Sequence, residues 1–206
     1  MVLTVSAHKG GVRKTTTAMH VAGVLGQREP TLLVDRERVH GALKWYRKGR
    51  DWSFQAESAA DLEAEVVRRY RRDGSVVIDT PAAPTPEELA AFGARSDLVV
   101  VPTTPDSLAV EALVETVRDL KRESLPYRVV LVAVPPWPSR AGAKTRSALE
   151  KAGVPTFRAE IPRAAAFHHA ALQGRLVRDV KDRRAAIPWS AYEELVAEID
   201  HARRNA

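Results

Sequence analysis

Lys9-Gly10-Gly11-Val12-Arg13-Lys14-Thr15 separates a short apolar run, residues 2–7, from a segment of helical pattern, residues 15–27. These residue types in this order suit one chemistry above others, the holding of phosphate. Gly10 and Gly11 admit positive φ, which lets backbone N–H groups turn inward on an anion. Lys14, at the helix start, can reach β- and γ-phosphate oxygens, and the Thr15 hydroxyl can face Mg²⁺. The helix N-terminus adds a positive dipole end beneath them. Thr16 and Thr17 supply further hydroxyls in the first turn. The strict phosphate-loop pattern, G-x-x-x-x-G-K followed by Ser or Thr, fails over residues 8–15, because His8 and Arg13 replace its glycines. The bland alternative is a Gly-Gly turn with two solvated lysines, and the strand and helix flanking the loop weigh against it.

The elements that must position this loop alternate along the chain. Near-continuous apolar runs at residues 2–7, 31–35, 75–79, 98–102, 129–134 and 156–161 read as strands buried on both faces of a parallel sheet. Residues 52–55 read as a further short strand. Helices are expected over 15–27, 59–72, 86–92, 107–122, 141–152 and 164–173, and a last one from about Pro188. Leu62, Val66, Val67 and Tyr70 mark the second of these, and Leu108, Leu113, Val117 and Leu120 mark the fourth. Gly153 and Gly174 are stop signals, and Ser190 with Glu193 has the form of a capping box. Strands alternating with helices of this length imply βαβ units. The expected fold is one α/β domain over residues 1–206, a mainly parallel sheet with helices on both faces.

With those elements in place, Lys9-Gly10-Gly11-Val12-x-Lys14-Thr15-Thr16-Thr17 resembles the deviant Walker A motif of the ParA/MinD family of P-loop ATPases, and the short ParA-type partition proteins in particular. The resemblance implies a three-layer P-loop fold that binds ATP and Mg²⁺ and forms a homodimer when ATP is bound. It implies that Gly10 to Thr16 contact the nucleotide and that Lys9 reaches across the dimer to the partner's ATP. Thr31-Leu32-Leu33-Val34-Asp35 resembles the family's second strand, so Asp35 matches its first aspartate. Glu37 stands where a second aspartate helps to position the attacking water. Ser75-Val76-Val77-Ile78-Asp79-Thr80-Pro81 resembles the Walker B strand, and Asp79 with Thr15 would organise Mg²⁺. The 97–105 segment and Ile161-Pro162-Arg163 also fit, so the likeness spans most of residues 1–182. Three departures stand out. Arg13 replaces a glycine, and could either block the site or add a phosphate contact. Glu37 is one methylene longer than aspartate, which slows a reaction that depends on positioning. Val132-Ala133-Val134-Pro135 lacks the asparagine that often reads the adenine.

The chain has 206 residues, no cysteine, a net charge of +6 and a pI near 9.8. Cysteine-held metals and disulfides are excluded. No apolar run reaches the ~18 residues of a membrane span, and residues 1–6 do not read as a signal peptide, so a cytoplasmic protein is expected. Basic residues gather late: Arg158, Arg163, Arg175, Arg178, Lys181, Arg183, Arg184, Arg203 and Arg204. ParA-like dimers bind DNA without sequence preference through this part of the chain. The resemblance therefore implies Arg163, Arg175, Arg178 and Lys181 as DNA contacts, a nucleoid-associated location, and a ParB-like or other stimulating partner. The acidic last segment, with Tyr192, Leu195, Val196 and Ile199 on one stripe, reads as a packing helix and not as a membrane anchor. Two other readings stay open. One is a non-hydrolysing DNA-binding or scaffold protein on the same fold, and the other is a P-loop metabolic ligase or kinase.

Overall fold

The computed structural model describes residues 1–59 and 64–204. Its strands are β1 (Val2–Val5), β2 (Thr31–Asp35), β3 (Gln55–Ser58), β4 (Ser75–Asp79), β5 (Leu98–Thr103), β6 (Tyr127–Val134) and β7 (Thr156–Pro162). They form one sheet in the order β3-β2-β4-β1-β5-β6-β7, and every neighbouring pair runs parallel. The helices are α1 (Lys14–Leu25), α2 (Gly41–Lys48), α3 (Ala64–Asp73), α4 (Pro86–Gly93), α5 (Ser107–Arg122), α6 (Ala141–Lys151), α7 (Ala166–Gln173) and α8 (Ala186–Arg204).

The edge strands β3 and β7 alternate buried with more exposed residues, so residues 156–161 are not buried on both faces as expected, whereas the inner strands are. On β5, Leu98 and Val100 enter one core while Val99 and Val101 enter the other; on β6, Val130 and Val132 oppose Val129 and Leu131 in the same way. Period-two alternation is present, but both faces are dry. The first core is covered by α1, α2, α7 and α8, and the second by α4, α5 and α6, with α3 on a smaller cluster with β2 and β4. Helix α1 is apolar nearly all round because it is buried nearly all round. His20, in its middle, is fully buried. One ring nitrogen faces the Thr16 carbonyl at 2.7 Å, the other accepts the Val177 N–H at 3.1 Å, and the ring stacks on Tyr192. Burial holds its pKa down at about 4, so His20 is a neutral clasp between α1 and the segment after α7.

Several expectations change. The short strand lies at Gln55–Ser58 and not at 52–55, because Trp52 is committed elsewhere: it stacks on Tyr46 and donates to its carbonyl. Helix α2, Gly41–Lys48, is additional to the expected helices. Leu108 is exposed, while Leu113, Val117 and Leu120 are buried as expected. The last helix begins at Ala186, so Ser190 lies inside it and no capping box forms there; Pro188 fits because the first turn has no N–H to lose. A true capping box forms instead at Thr85 and Glu88, ahead of Pro86. Gly153 and Gly174 take positive φ and end α6 and α7 as expected. Leu62, and the side chains of Val66, Val67, Arg203 and Arg204, lie outside the described residues.

Candidate nucleotide site

The loop from Ser6 to Arg13 leaves the carboxyl end of β1, with β4 and β5 on either side. After β1 the chain crosses to β2 on one side of it, and after the adjacent β4 it crosses to β5 on the other; this reversal opens the crevice in which α/β sheets bind ligands. The loop is anchored on both flanks. The Thr80 hydroxyl bonds to the Val5 carbonyl and the Ser6 hydroxyl, both at 3.0 Å. His8 accepts the Ala83 N–H through its carbonyl at 2.9 Å, and its ring meets Asp119 of α5 at 2.8 Å.

Within the loop the positive φ angles fall on Gly11 (78°) and Arg13 (64°), not on Gly10. Arg13 therefore takes the left-handed conformation at the N-cap of α1 that suits glycine, at a cost of about 1 kcal/mol. It lines a cleft with Thr16, Val132, Pro162, Phe167 and Tyr192. Lys14 is buried, and its ammonium donates to the Lys9 carbonyl at 3.1 Å, closing the loop on itself. Burial lowers its pKa, against the pull of Asp79 and Glu37. Lys9 points outward, its Nζ 3.1 Å from Asp106 Oδ1.

Three carboxylates meet this loop and differ in their partners. Asp35 is buried and committed: its two oxygens accept the Glu37 N–H at 2.9 Å and the Leu43 N–H at 3.0 Å. It shapes the turn from β2 into α2. Glu37 is half-buried beside the start of α2, where a Cβ built on Gly41 would come within 3.2 Å of its Oε2 and 3.7 Å of Thr15 Oγ1. Asp79 pairs with Asp35 across the β2–β4 ladder and is fully buried. Neither Asp79 oxygen has a hydrogen-bond partner of good geometry, although the Thr15 hydroxyl lies near enough to lower its pKa. Burial dominates and raises it to about 7; Asp35 and Glu37 add to the rise, and Lys14 opposes it.

An orphaned carboxylate beside a threonine hydroxyl, next to the loop that leaves β1, fits Mg²⁺ carried in with phosphates. That ion is typically held by one or two carboxylates, waters and substrate oxygens. Among the described residues no group of three or more His, Asp or Glu side chains could hold a metal unaided.

Of the other residues read from the sequence, Arg163 lines the same cleft as Arg13, while Arg175 and Arg178 line a different cavity; Lys181 is exposed. Arg36 stacks on Phe92, its guanidinium carbon 4.7 Å from the ring centre. Gly41, Asp106 and Asp119 escaped sequence reasoning. Asp106 was visible as the residue before a helix, but its pairing with Lys9 spans 97 residues.

No protein-family model matches the chain. A curated relative, maintenance of carboxysome distribution protein A of Gloeobacter kilaueensis, is 31% identical over 203 residues, 97% of this chain and 94% of its own. Solved structures share the fold. The MinD cell division protein of Aquifex aeolicus aligns with a TM-score of 0.73 at 15% identity, over 95% of this chain and 96% of its own. A plasmid partition protein of Borrelia burgdorferi, bound to AMPPNP, aligns with a TM-score of 0.71 at 17% identity, over 98% of both chains. A Cyanothece McdA variant in complex with ATP aligns at 0.69 and 17%, over 94% and 95%. The chain belongs to the ParA/MinD family of P-loop ATPases.

Proposed function

We propose that this chain is an ATP-dependent dimerisation switch that binds DNA without sequence preference and positions or partitions a cargo. The observation that carries the nucleotide part is Asp79, a buried carboxylate whose two oxygens lack a hydrogen-bond partner of good geometry. A buried carboxylate of that kind costs stability, and Mg²⁺ bound with ATP would relieve the cost. Thr15 and Asp79 would hold the ion. Bound there, it would draw charge from the phosphate oxygens.

The remaining roles fall to this chain's own groups. Lys14 would exchange the Lys9 carbonyl for phosphate oxygens, and the amides of residues 10–16 would line the phosphates. Arg13, which lines a cleft with Thr16, would add a charged contact to the phosphates. Glu37 would orient water, with Asp35 fixing the Glu37 amide. Lys9 would act on the partner's ATP. The relative named for carboxysome distribution and the neighbour named for plasmid partition support a positioning role, and a stimulating partner protein belongs to that reading.

Mg-ATP titration with phosphate-release kinetics tests it. Micromolar Mg-dependent ATP binding and slow turnover, raised by DNA or a partner, are expected. No binding by the chain, with binding gained in Arg13→Gly, would overturn the switch reading.

A further inference from the structure

The C-terminal end of α2 meets the loop after α7, and the joint is basic. A cavity of about 420 Å³ opens there, lined by Lys48 and Arg50 from one side and by Arg175 and Arg178 from the other, with Asp51 and Asp179 as the acids. Asp179 is committed: its carboxylate lies 3.3 Å from Arg178, and its carbonyl accepts from Arg175 at 3.1 Å. Lys44 and Arg47 carry positive charge further along α2. Among the described residues no ion pair engages Lys44, Arg47, Lys48 or Arg50.

The frame beneath these cations is tight. A Cβ on Gly49 would fall 2.0 Å from the Gly174 carbonyl oxygen, so the two backbones touch. The Trp45 indole donates to the Arg175 carbonyl at 3.0 Å, and the Trp52 indole to the Tyr46 carbonyl at 2.9 Å. Like charges held together on a fixed frame repel one another, and they are offset when an anion arrives.

We infer that this joint is a phosphate-backbone subsite for duplex DNA, with Lys48 and Arg50 as contacts additional to Arg175 and Arg178. It rests on the DNA part of the function proposed above. The chemistry favours a polyanion over a small anion. The cations are exposed, they come from two segments far apart in the chain, and they extend along a helix about 12 Å long. Successive phosphates on a strand rise about 3.4 Å apart along the duplex, so a row of arms of this length spans several of them.

The test uses the full chain with Mg-ATP and a fluorescein-labelled duplex of arbitrary sequence, read by anisotropy across a salt series. The variant is Lys48→Ala with Arg50→Ala; both side chains are exposed, so an unchanged melting curve checks the fold. Expected is binding roughly tenfold weaker, with the slope of log K on log salt shallower by about 2, partial rescue by Lys48→Arg with Arg50→Lys, and unaltered nucleotide-dependent dimerisation. Wild-type affinity and slope in the double alanine variant would overturn this subsite while leaving the DNA reading intact. A wild-type chain that binds no duplex in any nucleotide state would sink both. A loss confined to single-stranded RNA would also overturn the duplex assignment.

Discussion

Asp79 shows how one residue sets function against stability. Its folded pKa is raised from 3.8 to about 7. Between those values the folded chain holds a proton that the unfolded chain has released. Its contribution is therefore fully present at low pH and lost as pH rises towards 7. The full loss is on the order of 4 kcal/mol. Asp79→Asn keeps the neutral shape at every pH. Denaturant titrations of nucleotide-free protein should show the variant gaining on the parent from pH 4 to 7, then holding that lead. Mg-ATP should raise the parent's melting temperature and leave the variant's unmoved. A variant no more stable than the parent at pH 8 would remove the argument that Asp79 is an unsatisfied charge. The aspartate at a strand end was legible in the sequence. Its lack of partners was not, since that depends on what β2 and α1 place around it.

Helix α2 is the element that sequence periodicity missed. It is only eight residues long, begins after a left-handed His40, and carries three buried side chains, Ala42, Leu43 and Trp45. So short a segment is not stable alone; Asp35 at one end and the Gly49–Gly174 contact at the other hold it in place. A pair of glycines separates strain from crowding. Gly153 (φ 65°) and Gly174 (φ 63°) share a backbone conformation, but a Cβ on Gly153 meets nothing within 4 Å, whereas one on Gly174 meets Gly49 N and the Lys48 carbonyl carbon at 2.4 Å. Gly153→Ala should cost about 1 kcal/mol. Gly174→Ala should cost upwards of about 3 kcal/mol, because backbone must also move. Urea denaturation of the two variants checks this, and equal losses would show that the α2–α7 joint yields easily.

At the scale of the whole molecule, Lys9 is the residue whose proposed task lies outside its own chain. Here it pairs with Asp106, which also caps α5 by accepting the Ala109 N–H. An exposed pair of this kind is worth less than about 1 kcal/mol, so it would delay dimer formation only slightly. Lys9→Ala should stay monomeric with Mg-ATP, whereas Asp106→Asn, which still caps the helix, should dimerise at the same or up to about fivefold lower ATP concentration. Light scattering across an ATP series reads both; a dimer of the Lys9 variant at parental ATP concentration would remove Lys9 from the interface. The sequence by itself determined the layered α/β fold and the loop of residues 9–15. Apolar runs, glycines and a Lys-Thr pair are local signals, and strand burial follows from composition alone. Only the tertiary structure decided that Arg13 takes the glycine conformation, that Asp79 is left without partners while Asp35 is not, and that α2 brings Lys48 and Arg50 to Arg175. Those facts depend on contacts between residues far apart in the chain, and no local pattern encodes which buried group will find a partner.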